Sequence, residues 1–166
     1  MKNKLLIIVV CVLSVVFIWG CKSSPQKSMS GNYTYKTECM GIELDGSQTL
    51  KAWGNGRNRP DAIEQAYKNA VKDVLFNGIS NGKTDCNVKP VIFEVNAQEK
   101  YEEYFNKFFA DGGSYKEFVS EKDGSKYHIE IMKERKKAGA QETYGIVVRV
   151  LRAELKQKMI ADGILK

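Results

Sequence analysis

The chain has 166 residues, of which 43% are hydrophobic and 28% charged, and its formal net charge at pH 7 is +6. This length is enough for one domain with a core of its own and too short for two comfortable domains. The chain is mildly basic, and we expect no nucleic-acid partner.

The first twenty residues have the layout of a secretory signal. Two lysines lie within the first four residues, and a mostly apolar run follows from Leu5 to Trp19. A run of this length is typical of a signal peptide, whereas a transmembrane helix needs about 20 apolar residues. We predict a signal peptide over residues 1–20, with an uncleaved signal anchor or ordinary secretion as alternatives.

The end of this run resembles the lipobox of bacterial lipoproteins. Ile18-Trp19-Gly20-Cys21 has the branched apolar residue, the small residue and the cysteine of that motif, and only Trp19 departs from it. The resemblance implies cleavage after Gly20 and lipidation of Cys21. Several acyl chains on one residue would anchor the protein stably, since each buried CH₂ adds about 0.8 kcal/mol.

The residues after Cys21 predict the membrane in which the protein is anchored and the boundary of its folded domain. In lipoproteins of the enterobacterial type an Asp in the next position retains the protein at the inner membrane, and Lys22 stands there instead. The resemblance therefore favours the outer membrane. The polar stretch that follows predicts a flexible tether over residues 21–30, and residues 31–166 are expected to form a single domain. Removing residues 1–20 deletes two lysines, so the mature charge falls from +6 to +4.

The remaining cysteines predict a disulfide. With Cys11 in the signal and Cys21 lipidated, Cys39 and Cys86 form an even pair in an oxidising compartment. The alternative is two buried free thiols. Two distant cysteines and the single histidine, His128, do not make a structural zinc tetrad, so we predict no metal site and no cofactor.

The clearest helix begins at Pro60, with Asn58 close enough to cap it. Apolar residues then recur at three- and four-residue intervals down to the stop signal Asn77-Gly78. The stripe comprises Ala62, Ala66, Tyr67, Ala70, Val71, Val74 and Leu75. Its three alanines are small enough for the helix to lie close to a sheet.

A glycine-containing segment connects this helix to a predicted strand over residues 48–54. Backbone N–H groups at a helix start attract anions, which suggests a phosphate loop. However, a dinucleotide fingerprint requires a third glycine where Arg59 stands, and the Gly-Lys-Ser/Thr ending of a Walker loop is absent. We predict that Gly54 and Gly56 permit a tight turn or bulge; contact of Arg57 and Arg59 with an anionic group is the alternative.

Further along, residues 88–95 predict a short strand that Pro90 confines to an edge or a strand start. Residues 98–110 predict a helix with five aromatic side chains at helical spacing. We interpret this stripe as core, with a partner-binding surface as the alternative. The aromatic residues are Tyr101, Tyr104, Phe105, Phe108 and Phe109.

The C-terminal half predicts an antiparallel meander. Strands over 115–121 and 126–133 flank Asp123-Gly124, a strong hairpin signal. A buried strand over 144–151 and a helix over 152–161 follow. The predicted fold class is α+β: an antiparallel sheet of about four strands with a long helix on one face, an aromatic-rich helix and a C-terminal helix.

The arrangement resembles small bacterial surface lipoproteins built on a dodecin-like helix-over-sheet module. The resemblance covers about residues 48–155 and rests on Ala52-Trp53-Gly54-Asn55-Gly56, on the alanines of the helix, and on the hairpin ending near 144–148. It implies an envelope-associated, non-enzymatic role and supplies no catalytic residues.

Catalytic patterns are weak. His128 lies in a predicted strand, without an evident nucleophile beside it. Adjacent acids such as Glu102-Glu103 point in different directions on a helix. A basic cluster lies at the end of a predicted hairpin and is either solvated or a patch for lipid head groups, wall polymer or another polyanion. It comprises Lys133, Arg135, Lys136 and Lys137.

The sequence therefore predicts a non-enzymatic structural, adaptor or binding lipoprotein. Its expected partners are the membrane, through the acyl chains, and an envelope protein or peptidoglycan. The alternative is a periplasmic or surface inhibitor or small-ligand-binding lipoprotein. An inhibitor of a basic wall hydrolase would be expected to be acidic, whereas this domain is basic.

Overall fold

The chain folds as a five-stranded sheet with helices, in a computed structural model that describes residues 36–86, 89–121 and 142–166. These ranges all belong to one compact unit, and the predicted α+β class is confirmed. The strands are β1 (Glu38–Ile42), β2 (Gln48–Gly56), β3 (Asn81–Gly82), β4 (Val119–Glu121) and β5 (Glu142–Val150). The helices are α1 (Arg59–Lys72), α2 (Ala97–Lys100), α3 (Glu102–Phe108) and α4 (Arg152–Ala161).

The strand order is β3-β1-β2-β5-β4. All neighbouring pairs are antiparallel except β1 and β3, which are parallel. The sheet is therefore mixed and slightly larger than the predicted antiparallel sheet. The sequence did not predict β1 or β3 as strands, because β1 is interrupted by a bulge between Cys39 and Gly41 and β3 is a two-residue Asn-Gly segment.

The long helix packs on the central strands β2 and β5, which pair from Gln48 opposite Val150 to Gly56 opposite Glu142. Gly54 lies inside β2, where an added Cβ would collide with the backbone of Ala62 and Ala66. The prediction that Gly54 and Gly56 form a turn was therefore wrong. They belong to the strand, and at Gly54 the missing side chain lets the alanine face of α1 approach the sheet.

The boundaries of α1 follow the predicted signals. The Asn58 side chain accepts a hydrogen bond from the Asp61 N–H at 2.9 Å, which confirms the cap. The helix continues as a π-helical turn, Asp73–Asn77, and ends at Gly78, whose φ is +73° and whose N–H donates to the Asp73 carbonyl at 2.7 Å.

The aromatic helix contributes to the core, as predicted, but it is broken at Tyr101 into α2 and α3. Phe105 and Phe108 are buried, and Phe108 stacks on Phe118 with ring centroids 6.1 Å apart. The segment Ser114–Phe118 forms a 3₁₀ turn instead of the start of a strand, and only β4 continues as predicted.

Two further predictions differ in detail. Residues 89–95 form no strand: the N–H groups of Val91 and Ile92 donate to the carbonyls of Val74 and Leu75 instead, so this segment is held by the end of the long helix. Helix α4 has its predicted bounds. The sequence predicts Leu155, Met159 and Ile160 on one side of this helix; the first two are buried, whereas Ile160 is 40% exposed. The predicted strand 126–133 lies outside the described residues.

Candidate functional site

Cys39 and Cys86 lie together, with their sulfur atoms at disulfide distance and their Cα atoms 5.9 Å apart. Both side chains are buried. The pair joins β1 to the segment that follows β3, and the Lys83 N–H donates to the Cys39 carbonyl beside it at 2.9 Å. The predicted pairing agrees with the structure, and it holds the parallel edge of the sheet together.

The two arginines that were the alternative to a plain glycine turn, as contacts for an anion, lie in different surroundings. Arg57 lies at the rim of a groove described below, with 91% of its side chain exposed. The Arg59 guanidinium lies 5.9 Å from the centre of the Tyr144 ring. Cys21, Lys133, Arg135, Lys136 and Lys137 lie outside the described residues, as does His128.

A charged groove of about 530 Å³ runs between the first half of α1 and residues 111–116. Among the described residues that line it, three ion pairs balance the positive and negative charges and leave no surplus cation for an anionic ligand. The pairs are Arg57–Asp61 at 3.4 Å, Lys68–Asp111 at 2.6 Å and Lys116–Glu64 at 2.8 Å.

Glu64 is the most connected carboxylate in the charged groove, since it accepts hydrogen bonds from the Tyr115 hydroxyl and the Lys116 ammonium. Burial would raise the pKa of the Glu64 carboxyl, but these bonds outweigh burial and hold the pKa below its ordinary value. Burial and the adjacent Glu64 carboxylate raise the pKa of Tyr115. The arrangement keeps an ionised Glu64 beside a neutral Tyr115. It therefore suits a structural contact that holds α1 against the 111–116 segment.

A second cavity, the aromatic groove, has a volume of about 400 Å³ and lies beside α3 and the end of α1. Phe105 and Phe109 form its apolar floor, and Lys72 places its ammonium 5.4 Å from the Phe109 ring centre. Its exposed polar residues make no side-chain hydrogen bond or ion pair with the described part of the chain. They are Gln98, Glu99, Glu102 and Asn106.

The two grooves thus differ in available chemistry. The charged groove pairs its ions internally, whereas two amides and two carboxylates of the aromatic groove make no side-chain bond to any residue that the structure describes. The sequence did not identify Gln98 and Asn106 as groove residues. A usable signal was present, because Glu102, Phe105, Asn106 and Phe109 follow at the intervals of one helix face.

Comparison with models of known protein families, with curated proteins and with solved structures found no match to this chain. Among residues 36–86, 89–121 and 142–166, no group of three His, Cys, Asp or Glu side chains is placed to hold a metal ion. None of the helices in those ranges is both long and apolar enough to cross a bilayer. The grooves and the cysteine pair are therefore the structural basis for the functional proposal.

Proposed function

We propose that this chain is a lipid-anchored protein of the bacterial cell envelope, whose folded domain acts as a non-enzymatic adaptor or binding module at the outer membrane. The observation that carries the proposal is the Cys39–Cys86 pair at disulfide distance. Disulfides persist in oxidising compartments and are rare in the cytosol. This compartment is the one that the signal-like residues 1–20 and the lipobox-like Ile18–Cys21 segment predict from the sequence.

The non-enzymatic part of the proposal is supported by the chemistry of the charged groove. The pKa shifts of Glu64 and Tyr115 follow from burial together with a local ion pair and a hydrogen bond that hold α1 to the 111–116 segment. Groups engaged in this way are poorly placed to exchange protons with a substrate. We therefore propose that the molecule is anchored to the membrane and binds a partner, and that it does not catalyse a reaction.

Metabolic labelling with a palmitate analogue tests the anchor. We expect label on the wild-type chain and none on Cys21→Ala, because the lipidated thiol would be lost. Cys11→Ala is the matched control: it removes a cysteine of the same apolar run and should remain labelled. Labelling of Cys21→Ala at the wild-type level would contradict the proposal.

A small-ligand-binding lipoprotein is the second candidate, and the aromatic groove with its free polar groups favours it. In-cell crosslinking followed by identification of the captured molecules separates the two. A specific envelope protein supports the adaptor role. Recovery of a small molecule without a protein partner supports the small-ligand-binding candidate, whereas exclusive capture of wall polymer supports direct wall binding by the anchored module.

A further inference from the structure

We propose that Asn81 is a modification site, where the side-chain amide is lost spontaneously to water, and that this deamidation loosens the parallel edge of the sheet. The inference goes beyond the proposed function. It depends neither on the lipid anchor nor on a binding partner, so its outcome and that of the palmitate labelling are independent.

The sequence offers three places for this reaction. In an asparagine–glycine pair the backbone nitrogen of the glycine reaches the side-chain carbon of the asparagine most easily, because glycine puts no side chain in the way. The pair occurs three times in the chain, at 55–56, 77–78 and 81–82. Since the three pairs are chemically alike, the folded structure decides which of them reacts first.

The attacking nitrogen is available at the third pair, which forms the edge strand β3 (Asn81–Gly82). The Lys83 N–H points towards β1, where it donates to the Cys39 carbonyl at 2.9 Å. Successive N–H groups of a strand point to opposite sides, so the Gly82 N–H points away from β1. Gly82 is also exposed. Its nitrogen therefore takes no part in the pairing of β3 with β1.

The amide that is attacked is accessible as well. Asn81 lines an open cavity of about 330 Å³ together with Asp73 and Asn77. Within the ranges that the structure describes, the Asn81 side chain makes no hydrogen bond or ion pair. Because β3 has only two residues, little of the strand ladder opposes the rotation that brings the two groups together.

The other two pairs are held by hydrogen bonds. Asn77 lines the same cavity, but its side-chain amide donates to the Asp73 carboxylate at 2.6 Å, and the Gly78 N–H donates to the Asp73 carbonyl at 2.7 Å. The Asn55 side chain accepts a hydrogen bond from the Thr143 hydroxyl at 2.7 Å, within the paired strands β2 and β5. These contacts must break before either pair can react.

The reaction needs no oxidant or reductant. The Gly82 nitrogen bonds to the side-chain carbonyl carbon of Asn81, its proton passes through water to the departing amide nitrogen, and ammonia leaves a cyclic imide. Water then opens the imide at either carbonyl. Opening at the side-chain carbonyl gives aspartate. Opening at the backbone carbonyl gives isoaspartate, whose main chain is longer by one methylene.

The parallel edge cannot accommodate the longer chain without a shift. A Cβ on Gly82 would lie 2.3 Å from the Cys39 carbonyl oxygen, so the two backbones are in close contact. Isoaspartate at position 81 displaces Lys83 relative to Cys39 and disrupts the hydrogen bond between them. The Cys39–Cys86 pair then remains as the link between β1 and the segment after β3.

The test incubates the full-length chain in mildly alkaline buffer and locates aspartate and isoaspartate by peptide mass spectrometry with electron-transfer fragmentation. We expect Asn81 to react about tenfold faster than Asn77 and Asn55 in the folded protein, because hydrogen bonds hold the other two. In urea the three should react at similar rates. Asn81→Gln is the matched variant and should lose the early product alone. Conversion of Asn77 or Asn55 as fast as Asn81 in the folded protein would overturn the assignment.

Hydrogen exchange tests the loosened edge. In the isoaspartate form, separated by ion-exchange chromatography, we expect faster amide exchange in the peptide that contains Lys83. Asn81→Asp carries the new charge without the added methylene and should exchange as the wild type does. Unchanged exchange in the isoaspartate form, or an equal increase in Asn81→Asp, would overturn the structural consequence.

Discussion

Gln48 is an unusual residue at the centre of this fold. Its side chain is completely buried, yet within the described part of the chain neither its amide nitrogen nor its amide oxygen has a hydrogen-bond partner. It lies on the face of β2 that carries Leu50 and Ala52, opposite Val150 of β5. A buried amide without partners costs about 1–3 kcal/mol. Gln48 therefore lowers the stability that an apolar residue of similar length would provide.

We expect Gln48→Met to raise the free energy of unfolding by about 1–2 kcal/mol, because methionine fills a similar volume without unpaired polar atoms. Urea unfolding measures the change. Thr49→Val is the matched control: the Thr49 hydroxyl donates to Glu43 at 2.7 Å, so its removal should destabilise. A Gln48→Met variant less stable than the wild type would show that the amide is bonded in solution.

Glu64 predicts how stability depends on pH. The pKa of its carboxyl in the folded protein lies below the ordinary value of 4.5. Its contribution to stability is therefore present above pH 4.5 and is lost as the pH falls through the folded pKa. We expect Glu64→Gln to be less stable than the wild type at neutral pH and to lose less stability on acidification, measured by urea unfolding between about pH 6 and pH 2.5.

The exposed Glu103 on α3 provides the control, since it makes no hydrogen bond or ion pair within the described ranges. Glu103→Gln should follow the wild-type curve. If Glu64→Gln follows it as well, the bonds from Tyr115 and Lys116 do not stabilise the folded state.

At the level of elements, the contact between α1 and β2 depends on small residues on both sides. Ala62, Ala66 and Ala70 are fully buried, and Gly54 lies beneath the first two. We expect Gly54→Ala to destabilise the fold by about 2–3 kcal/mol, because a methyl group there collides with backbone that cannot move freely. Thermal unfolding measures this loss. Asn55→Ala, at the adjacent exposed position of the strand, should cost much less, and an equal loss would contradict the close approach.

The parallel edge of the sheet depends on the cysteine pair. β3 has only two residues and pairs with β1 at Glu38 and Cys39. Because the cysteines are 47 positions apart, we expect Cys39→Ala/Cys86→Ala to reduce the free energy of unfolding by about 4 kcal/mol. Equal stability of the double variant and the wild type would show that the bridge does not constrain the chain.

For the whole molecule, the sequence predicted those helices and strands that are specified by patterns within their own residues. α1, β5 and α4 have caps, alternation or helical periodicity, and their predicted positions agree closely with the structure. β1 and β3 were missed because short strands are stabilised by their partners rather than by their own pattern. The aromatic groove was missed for a similar reason: which polar groups of α3 stay unpaired depends on how α1 packs against it.

The intact mass of the protein, extracted from native membranes and measured without reducing agent, tests the central claim most directly. The proposal predicts a chain that begins at Cys21, carries the mass of its acyl chains and is lighter by the two hydrogens lost when Cys39 pairs with Cys86. A chain that retains residues 1–20, or one that begins at Cys21 without acyl chains, would contradict it.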